Sequence, residues 1–532
     1  MSQQNDWQKF TANLLRYSEP DLWLDLSLMD LPKDLIEAKE KCINKSLDEI
    51  RKIEEGAKVN TDEDKDSGGR RVGHYWLRNP ELAPDEIGIS IQRKIAEVKA
   101  FSSGIHKGEI LNPSGEKFTN LLLIGIGGSA LGPQLAVDAL TDHTAPMKIH
   151  YFDNTDPDGM DRILNGIGEK IGETLTLVIS KSGGTKETRN GMLEAKAAYE
   201  NNGLEFGKHA IAVTGENSQL DQYATQEDWI GIFPMEDWVG GRTSITSVVG
   251  LLPMALMGIN INEFLEGASA IDRKTRPPEI KLNAALLMAL SWHHIGEGKG
   301  SKAMVILPYK DRLNLLSKYL QQLVMESLGK EFDRDDNQVH QGITVYGNKG
   351  STDQHAYVQQ LRDGINNFFV TFIEVRESRM GNSIEVDPGF KTGDYLQGFL
   401  RGTRSALAEA SRKSMTISIP ILDAFHLGSL IALYERAVSY YASLININAY
   451  HQPGVEAGKK AATDFLEILS KTESYLSDRT GEKFTAGDVA NNIQENEENT
   501  FHALNHLSSN RDDISVEIGE SPEADRFVRG KS

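Results

Sequence analysis

The stretch Leu121-Leu-Leu-Ile-Gly-Ile-Gly-Gly-Ser-Ala130 predicts an apolar strand that ends in a glycine-rich turn and leads into a helix. Its glycines let a ligand approach the backbone closely, and the N-terminus of the following helix favours an anion. Gly125, Gly127 and Ala130 also fit the dinucleotide-binding fingerprint, with Asp153 ending the next predicted strand. The stretch therefore has three interpretations, namely an anion site, a dinucleotide site or a tight turn without any ligand. It does not by itself decide among them.

Short apolar runs alternate with amphipathic segments from residue 120 onward, in two blocks separated by a helical segment at residues 247–297. Alternation of strands and helices at this spacing is typical of parallel sheets with helices on both faces. The predicted strands cover residues 120–126, 148–152, 174–180 and 209–214 in the first block, and residues 302–307, 342–346, 367–375 and 415–419 in the second.

The predicted fold is therefore α/β, with two doubly wound parallel-sheet domains, each an α-β-α sandwich, and helical extensions at both ends. The predicted segments are a helical N-terminal extension at 1–110, the two α/β domains at 111–297 and 298–460, and a helical, polar tail at 461–532. Further helices are predicted at residues 34–56, 85–101, 312–328 and 425–446, and an exposed loop at 60–69. The tail is acidic, and little beyond frayed helices is predicted after residue 470.

The composition excludes several classes of function. The chain has 532 residues, with 57 Lys and Arg against 77 Asp and Glu, and this net charge of −20 argues against binding to nucleic acid. No apolar stretch is long enough for a membrane helix, and the N-terminal residues show no secretory pattern. Cys42 is the only cysteine, which excludes an internal disulfide and fits a reducing cytoplasm. An acidic protein that binds an anion must gather cations and N–H donors at one place.

The segment Ser180-Lys-Ser-Gly-Gly-Thr-Lys-Glu-Thr188 supplies such a place. It follows a predicted strand and precedes a helix, so its amides and hydroxyls are expected to hold a phosphate, with Lys181 as the cation. It lacks the residue order of the nucleotide P-loop. A plain helix cap formed by Thr185 and Thr188 is the alternative, but capping explains neither Lys181, nor Ser182, nor the pair of glycines.

Two charged residues suit proton transfer. In Asp237-Trp-Val-Gly-Gly-Arg-Thr-Ser244, Arg242 follows two glycines on a tight turn, where a fixed cation stabilises a developing oxyanion. Glu326 lies near the end of an otherwise apolar helix with Gln322 one turn earlier, and a carboxylate in such surroundings can act as a base near neutral pH. The alternatives are a solvated arginine and an ordinary glutamate on a helix surface.

Two further motifs carry candidate groups. Gly350-Ser-Thr-Asp-Gln-His-Ala-Tyr357 places His355 at the start of a predicted helix, where it could move a proton near neutrality. Asn448-Ala-Tyr-His-Gln-Pro-Gly-Val-Glu-Ala-Gly-Lys-Lys460 sets a turn at Pro453, and the following helix presents Lys459. Taken singly, the first is also compatible with a capping or core histidine and the second with a plain turn.

Together, these six motifs resemble those of the glucose-6-phosphate isomerase (phosphoglucose isomerase) family, over about residues 121–460. The motifs around Arg242, Glu326 and Lys459 are specific to that family, whereas the glycine loops are shared by all sugar isomerase (SIS) domains. The Ser-Gly-Gly-Thr sequence at residues 182–185 resembles the bacterial form, because animal members carry bulkier residues there. The resemblance implies two SIS-type domains.

The resemblance also implies a reaction and a set of site residues. The reaction is a 1,2-proton shift between D-glucose 6-phosphate and D-fructose 6-phosphate through a cis-enediol, in glycolysis and gluconeogenesis, without metal or cofactor. The implied catalytic residues are Glu326, Arg242, His355 and Lys459. The implied substrate-binding residues are Gly128, Ser129, Ser180, Lys181, Ser182, Thr185, Thr188, Gln322 and Gln452.

The implied partners are a small-molecule sugar phosphate and a second copy of the chain. In the family the histidine reaches the site from the other subunit, so a homodimer is implied in which His355 crosses the interface. No nucleic acid and no membrane is expected as a partner, and the expected location is the cytoplasm.

Other functions fit the residues less well. A metal-dependent hydride shift would need clustered ligands, and His502 and His506 lie in the polar tail without an adjacent glutamate motif. An SIS-domain amidotransferase would need an N-terminal cysteine, but position 2 is serine and Cys42 lies within a predicted helix. A sugar-phosphate sensor would not need Glu326, Arg242 and Lys459 together. A dehydrogenase stays possible if the glycine turn after residue 124 binds a dinucleotide.

Overall fold

The computed structural model describes residues 2–60 and 69–530, so most of the predicted loop at 60–69 lies outside the described residues. The chain divides into two compact units, Met1–His451 and Gln452–Ser532. The boundary between these units lies at a different position from the boundaries of the four predicted segments. The division into four segments remains a prediction.

Strands run through both units, and in chain order their bounds are as follows. They are β1 (Leu14–Arg16), β2 (Trp23–Leu28), β3 (Lys58–Asn60), β4 (Arg70–Arg71), β5 (Asn120–Ile124), β6 (Lys148–Phe152), β7 (Thr174–Ile179), β8 (Ala210–Gly215), β9 (Gly231–Met235), β10 (Ala303–Pro308), β11 (Lys330–Phe332), β12 (Gln338–Gln341), β13 (Val345–Tyr346), β14 (Phe368–Val375), β15 (Glu385–Asp387), β16 (Phe390–Lys391), β17 (Ser414–Ile419), β18 (Lys483–Phe484), β19 (Ile514–Glu517) and β20 (Arg526–Arg529).

Helices cover the sheets and separate the strands. They are α1 (Ser2–Ala12), α2 (Leu35–Glu54), α3 (Asp85–Lys107), α4 (Leu131–Leu140), α5 (Pro157–Ile167), α6 (Lys186–Asn201), α7 (Gln219–Gln226), α8 (Val248–Leu256), α9 (Ile261–Thr275), α10 (Ala284–Ile295), α11 (Leu316–Leu320), α12 (Val358–Asp363), α13 (Thr392–Glu409), α14 (Ala424–Leu444), α15 (Pro453–Ser477), α16 (Ala486–Ile493) and α17 (Glu497–Asn510). Among them, none combines the length and the apolar character needed to cross a bilayer.

The first sheet is parallel throughout, with the strand order β6-β5-β7-β8-β9. Its four predicted strands are confirmed within one or two residues at each end. The edge strand β9 was not predicted, because Pro234 interrupts a short run that contains only three other apolar side chains. Proline is tolerated at a sheet edge, where one side of the strand needs no ladder hydrogen bonds.

The second sheet has the order β1-β2-β17-β14-β10-β13, with parallel pairing among its last four strands. The predicted strands are confirmed, although β13 keeps only two residues of the predicted 342–346. The N-terminal strands β1 and β2 were not predicted, and β2 pairs antiparallel with β17. Asp25 in β2 is tolerated in this buried position because Arg404 donates to its carboxylate over 2.6 Å.

The predicted helices are confirmed, with one informative deviation. The helix predicted at 312–328 begins with a 3-10 turn, becomes α-helical in α11 and then widens into a π-helical turn at Gln321–Glu326. Such turns are frequent at functional sites. The long helix predicted at 425–446 is α14, and nearly all of its side chains are buried.

The prediction of frayed helices in the tail is wrong. In Gln452–Ser532, helices α16 and α17 are separated by residues 494–496 alone and pack with β18-β20-β19 around a core of their own. The order of elements in this unit is α15-β18-α16-α17-β19-β20, and the three strands pair antiparallel. Helix α17 contains no Lys or Arg, so it offers no cation to a nucleic-acid phosphate.

Candidate active site

The candidate site lies at the carboxyl ends of the strands of the first sheet. The chain leaves β5 for β6 on one side and returns to β7 on the other, so the strand order reverses between β5 and β7. Ligands of open α/β sheets bind at such a point. Three segments meet this edge, which we name the glycine loop (residues 125–129), the hydroxyl loop (residues 180–188) and the arginine turn (residues 237–244).

The glycine loop packs directly against the arginine turn. A β-carbon added to Gly128 would lie 2.2 Å from the carbonyl oxygen of Gly241, far inside van der Waals contact. Ser244 Oγ lies 3.3 Å from the carbonyl oxygen of Gly128, to which it donates. On its other side the loop meets the π-helical turn, because a β-carbon on Gly127 would lie 3.2 Å from Gln322 Nε2. Because Gly127 and Gly128 have no side chains, the glycine loop can pack closely against both the arginine turn and the π-helical turn.

We expect Gly128→Ala to disrupt this junction. The added methyl group collides with backbone rather than with a flexible side chain, and overpacking of this kind costs about 1–3 kcal/mol. The expected result is a lower melting temperature and a fall of about tenfold or more in kcat/KM, measured by thermal unfolding and by steady-state assay. Gly166→Ala in α5 is the control, because nothing lies within 4 Å of its added carbon. Equal behaviour of the two variants would contradict the role given to Gly128.

The hydroxyl loop is closed by its own side chains. Ser180 Oγ accepts from the amide of Gly183 and Ser182 Oγ accepts from the amide of Gly184, both over 3.2 Å. Two of the amides that were expected to face a phosphate are thus bonded within the loop. Thr185 occupies the N-cap position of α6, but its side chain makes no capping hydrogen bond with the helix. Its hydroxyl is therefore not explained by capping.

Lys181 links the hydroxyl loop to the arginine turn. Its ammonium donates to the carbonyl oxygens of Asp237 and Val239, over 2.8 and 3.1 Å. Burial lowers the pKa of Lys181, and the nearby Asp237 works against this shift. In this structure the lysine therefore orders the two segments relative to each other.

Arg242 and Glu326 form the centre of the site. Arg242 Nε donates to Glu326 Oε2 over 3.1 Å, and the Arg242 side chain is 6% exposed against 22% for Glu326. Arg242 Nη1 donates to the carbonyl oxygen of Ala449 over 2.7 Å, which fixes the plane of the guanidinium. Burial lowers the pKa of Arg242, and the charge of Glu326 opposes the shift. A carboxylate that is partly open to solvent thus lies beside a cation that cannot move away.

Lys330 is a second buried cation at this centre, and it was not singled out from the sequence. Its Nζ donates to the carbonyl oxygen of Glu326 over 2.7 Å, and the residue is 5% exposed. Burial and the neighbouring Arg242 lower the pKa of Lys330 to about 7, against the pull of Glu326. The lysine satisfies a carbonyl at the end of the helix and so holds the backbone of Glu326 in place.

We expect Lys330→Met to lower kcat by about tenfold with little change in KM, because losing one buried hydrogen bond costs about 1–1.5 kcal/mol and displaces Glu326 rather than the substrate. Steady-state kinetics measure this. The control is Lys318→Met, since Lys318 lies on α11 with its side chain 50% exposed. An unchanged kcat for Lys330→Met would contradict the positioning role.

The same lysine makes stability depend on pH. Its pKa is lower in the folded than in the unfolded chain, so the unfolded chain binds more protons between pH 7 and about pH 10. Stability therefore rises with pH across this window. Relative to Lys330→Met, the unsubstituted chain is expected to gain unfolding free energy between pH 7 and 9 in urea titrations, and a constant difference would contradict the shift.

The remaining predicted residues are distributed over both units. His355 is exposed at the end of the 3-10 turn Thr352–His355, which follows β13. Gln452 and Lys459 belong to the second unit, where Gln452 precedes α15 and Lys459 lies within it. The side chain of Lys459 lies outside the described part of the structure.

The rival dinucleotide site finds no support in the geometry. Asp153, the candidate for a ribose contact, accepts from Gln134 Nε2 over 2.8 Å, and Lys318 Nζ lies 3.8 Å from its carboxylate. The glycine loop is covered by Gly241, where a pyrophosphate would have to approach. Between residues 2 and 60 and between 69 and 530, no group of three or more His, Cys, Asp or Glu side chains is arranged to hold a metal ion.

Comparison with known proteins agrees with this geometry. Residues 30–388 and 404–481 match a family model described as phosphoglucose isomerase. A glucose-6-phosphate isomerase from Geotalea daltonii is 55% identical over 98% of this chain and 99% of its own length. One from Rippkaea orientalis is 52% identical over 96% of both chains.

A solved structure supports the fold as well. The crystal structure of a glucose-6-phosphate isomerase from Chlamydia trachomatis superposes with a TM-score of 0.78 at 26% sequence identity, covering 87% of this chain and 91% of that chain. The predicted α/β fold with parallel sheets is confirmed. The family model ends at residue 481, so it does not include helices α16 and α17 or strands β18 to β20 of the second unit.

Proposed function

The chain belongs to the phosphoglucose isomerase family, and from this premise we propose that it interconverts D-glucose 6-phosphate and D-fructose 6-phosphate by general acid–base catalysis. The single observation that carries the proposal is the contact of 3.1 Å between Arg242 Nε and Glu326 Oε2. It joins a base and a fixed cation, which are the two groups that a proton shift through an enediol requires.

Glu326 moves the proton between the two reacting carbons. Its carboxylate takes the proton from carbon 2 of the open-chain aldose, and the same carboxyl group returns a proton to carbon 1. The hydroxyl proton on the oxygen of carbon 2 is transferred to the oxygen of carbon 1 in the same conversion, so that a cis-enediol lies between the two sugars. Negative charge develops on the oxygens of this intermediate, and the guanidinium of Arg242 stabilises it. Because Arg242 is held by the carbonyl of Ala449, it needs no reorganisation during the reaction.

The hydroxyl loop anchors the substrate phosphate at the other end of the sugar. Its members Ser180, Lys181, Ser182, Thr185 and Thr188 act through hydroxyls, amides and the ordering effect of the lysine. Gly128 and Ser129 form the neighbouring wall. Gln322 and Gln452 position sugar hydroxyls. The Gln322 side chain lies beside the glycine loop, 3.2 Å from where a β-carbon of Gly127 would stand, and this supports the first of these assignments.

Ring opening precedes the proton shift, and His355 and Lys459 assist it. His355 is exposed at the end of its turn, which suits a residue that acts in the site of a second copy of the chain. We therefore include a homodimer in the proposal. The proposed setting is glycolysis and gluconeogenesis in the cytoplasm.

This reaction needs no metal and no cofactor. A hydrogen leaves and returns as a proton on one carboxylate, so no hydride acceptor takes part. The charge on the enediol oxygens is met by Arg242, so no Lewis acid is required.

The direct test is conversion of fructose 6-phosphate by the purified chain, coupled to oxidation of the product by glucose-6-phosphate dehydrogenase. We expect turnover that is unchanged by a metal chelator. Loss of activity with chelator, or absence of activity at saturating substrate, would overturn the proposal. Mannose 6-phosphate belongs in the same assay, since activity on it would widen the substrate range. Titration with NAD, read by fluorescence, tests the dehydrogenase alternative.

A further inference from the structure

The second sheet repeats the connection that forms the candidate site at the first sheet. The chain leaves β10 for β13 on one side and returns to β14 on the other, so the strand order reverses between β10 and β14. In the first sheet the same reversal lies between β5 and β7. Ligands of open α/β sheets bind at the carboxyl ends of the strands at such a point. The carboxyl edge of the second sheet is therefore a second place where a ligand site is expected.

A cleft of about 550 Å³ lies at this edge, and we name it the second-sheet cleft. Its wall includes Lys310 after β10, Ser378 after β14 and Leu422 after β17, so it spans the carboxyl ends of three neighbouring strands. Pockets that bind small molecules typically have volumes of about 300–1,000 Å³. The cleft thus has both the position and the size of a small-molecule site.

The segment at residues 376–380 takes the place that the hydroxyl loop has at the first sheet. The hydroxyl loop follows β7, the third strand of the first sheet in chain order, and residues 376–380 follow β14, the third parallel strand of the second sheet. Ser378 and Arg379 supply a hydroxyl and a cation there, as Ser180 and Lys181 do in the hydroxyl loop. Both segments therefore carry the kinds of donor that a phosphate accepts.

The wall of the second-sheet cleft is held in place by close contacts. Lys310 Nζ donates to the carbonyl oxygens of Glu377 and Ser378, over 3.1 and 2.7 Å, just as Lys181 fastens the arginine turn. A β-carbon added to Gly393, near the start of α13, would lie 2.2 Å from Ser378 Oγ. The site is therefore preformed, which reduces the ordering entropy that binding of a ligand costs.

Three cations line the cleft, namely Lys310, Arg312 and Arg379. Burial and then the neighbouring Arg312 lower the pKa of Lys310, and Glu377 opposes the shift. Two of the cations thus lie close enough to repel each other. An anion placed between them removes that repulsion.

Three carboxylates also line the cleft, and two of them already have partners. Lys349 Nζ lies 3.1 Å from Asp311 Oδ1. Asp142 Oδ1 accepts from the amide and the hydroxyl of Thr144, over 2.8 and 2.6 Å. The third carboxylate, that of Glu377, stands against the three cations, so the cleft favours an anionic ligand.

The rest of the lining is largely apolar, and its larger members are Met380, Tyr395, Leu396, Phe399, Ile421 and Leu422. The ring centroids of Tyr395 and Phe399 lie 6.4 Å apart on successive turns of α13. Partly exposed aromatic rings of this kind can stack on a flat ring of a ligand. The apolar part of the wall therefore suits the body of a ligand whose anionic group lies among the cations.

We propose that the second-sheet cleft binds a phosphate monoester with a flat apolar body, which is the chemistry of a nucleoside monophosphate. The phosphate lies among Lys310, Arg312 and Arg379, and the ring packs on Tyr395 and Phe399. A sugar phosphate has no flat apolar ring, so it leaves the aromatic part of the wall without a partner. This inference goes beyond the proposed function and does not depend on it.

The test is equilibrium dialysis of the full chain with adenosine monophosphate as the probe. We expect saturable binding of one molecule per chain with a dissociation constant below about 1 mM. Adenosine, which lacks the phosphate, and ribose 5-phosphate, which lacks the ring, should each bind about tenfold more weakly or worse. Absence of saturable binding, or equal affinity for either fragment, would overturn the proposal.

Two variants locate the probe in the cleft. Arg379→Ala and Phe399→Ala should each raise the dissociation constant of adenosine monophosphate by about tenfold. The matched controls are Arg93→Ala, whose side chain is 68% exposed on α3, and Phe332→Ala, since Phe332 is 49% exposed against 45% for Phe399. All four positions are exposed, so thermal unfolding should change little. An unchanged affinity in either cleft variant would contradict the assignment.

Competition separates this cleft from the candidate active site. Saturating fructose 6-phosphate should leave the binding of adenosine monophosphate unchanged, because the hydroxyl loop belongs to the first sheet. Displacement of the probe would place it in the candidate active site and overturn the inference. A chain that binds the probe in the cleft but shows no isomerase turnover fails the proposed function alone. A chain that turns over fructose 6-phosphate but does not bind the probe fails this inference alone.

Discussion

We expect Glu326→Gln to lower kcat for fructose 6-phosphate by about a thousandfold, within the range typical of removing a general base. Glutamine keeps the size of the side chain, and its amide oxygen can still accept from Arg242 Nε, so the cation stays in place. What is lost is the ability to take a proton from carbon. KM should change little, because the carboxylate acts mainly in the transition state.

Isotope exchange sharpens this test. In heavy water, the unsubstituted chain should introduce deuterium at carbon 2 of the recovered aldose phosphate. The proton taken from the sugar resides on the Glu326 carboxyl group, which is 22% exposed and can exchange it for a solvent deuteron before the return to carbon. Glu326→Gln should abolish that exchange together with turnover. Glu331→Gln is the matched control, since Glu331 lies five positions further on and is exposed in β11. Undiminished turnover by Glu326→Gln would remove Glu326 from the mechanism.

Helices and strands could be predicted from the sequence where the apolar pattern of a segment matches its burial in the fold. Strands such as β5 and β7 are continuous apolar runs because parallel strands are buried on both faces. Strand β2 escaped prediction because Asp25 breaks its apolar run, and only the distant Arg404 makes that residue tolerable. The small core of the second unit escaped because its apolar residues, such as Leu504 and Phe527, are sparse along a polar sequence.

The candidate site also contains residues that the sequence predicted and residues that it did not. Arg242 and Glu326 were both predicted, and the structure brings them into contact across 84 positions of sequence. Lys330 was missed, although its position four residues after Glu326 is a signal that a lysine could reach the carbonyl at a helix end. The contact of Lys181 with the arginine turn could not be predicted, because it depends on how two loops meet at a sheet edge.

The role of Arg242 gives the second large expected effect. We expect Arg242→Lys to lower kcat by about 10²–10³-fold, which is typical of losing one fixed donor to a developing oxyanion. Lysine keeps the charge, but one ammonium cannot reproduce the planar set of donors that reaches both Glu326 and the carbonyl of Ala449. The cation is therefore no longer held in a fixed position, and it stabilises the enediol oxygens less well, while binding of the substrate changes less.

Binding measurements can separate this effect from a general loss of structure. A sugar-acid phosphate that mimics the enediolate should lose affinity for Arg242→Lys in proportion to the loss of kcat/KM, whereas affinity for inorganic phosphate should stay the same, because the hydroxyl loop is intact. Arg93→Lys is the control, since Arg93 lies on α3 with its side chain 68% exposed. If the mimic and phosphate lose affinity equally, Arg242 acts by supporting the fold around Glu326. If only the mimic loses affinity, the charge of Arg242 acts on the intermediate. The second outcome is expected of a guanidinium that is only 6% exposed and donates to both Glu326 and the carbonyl of Ala449.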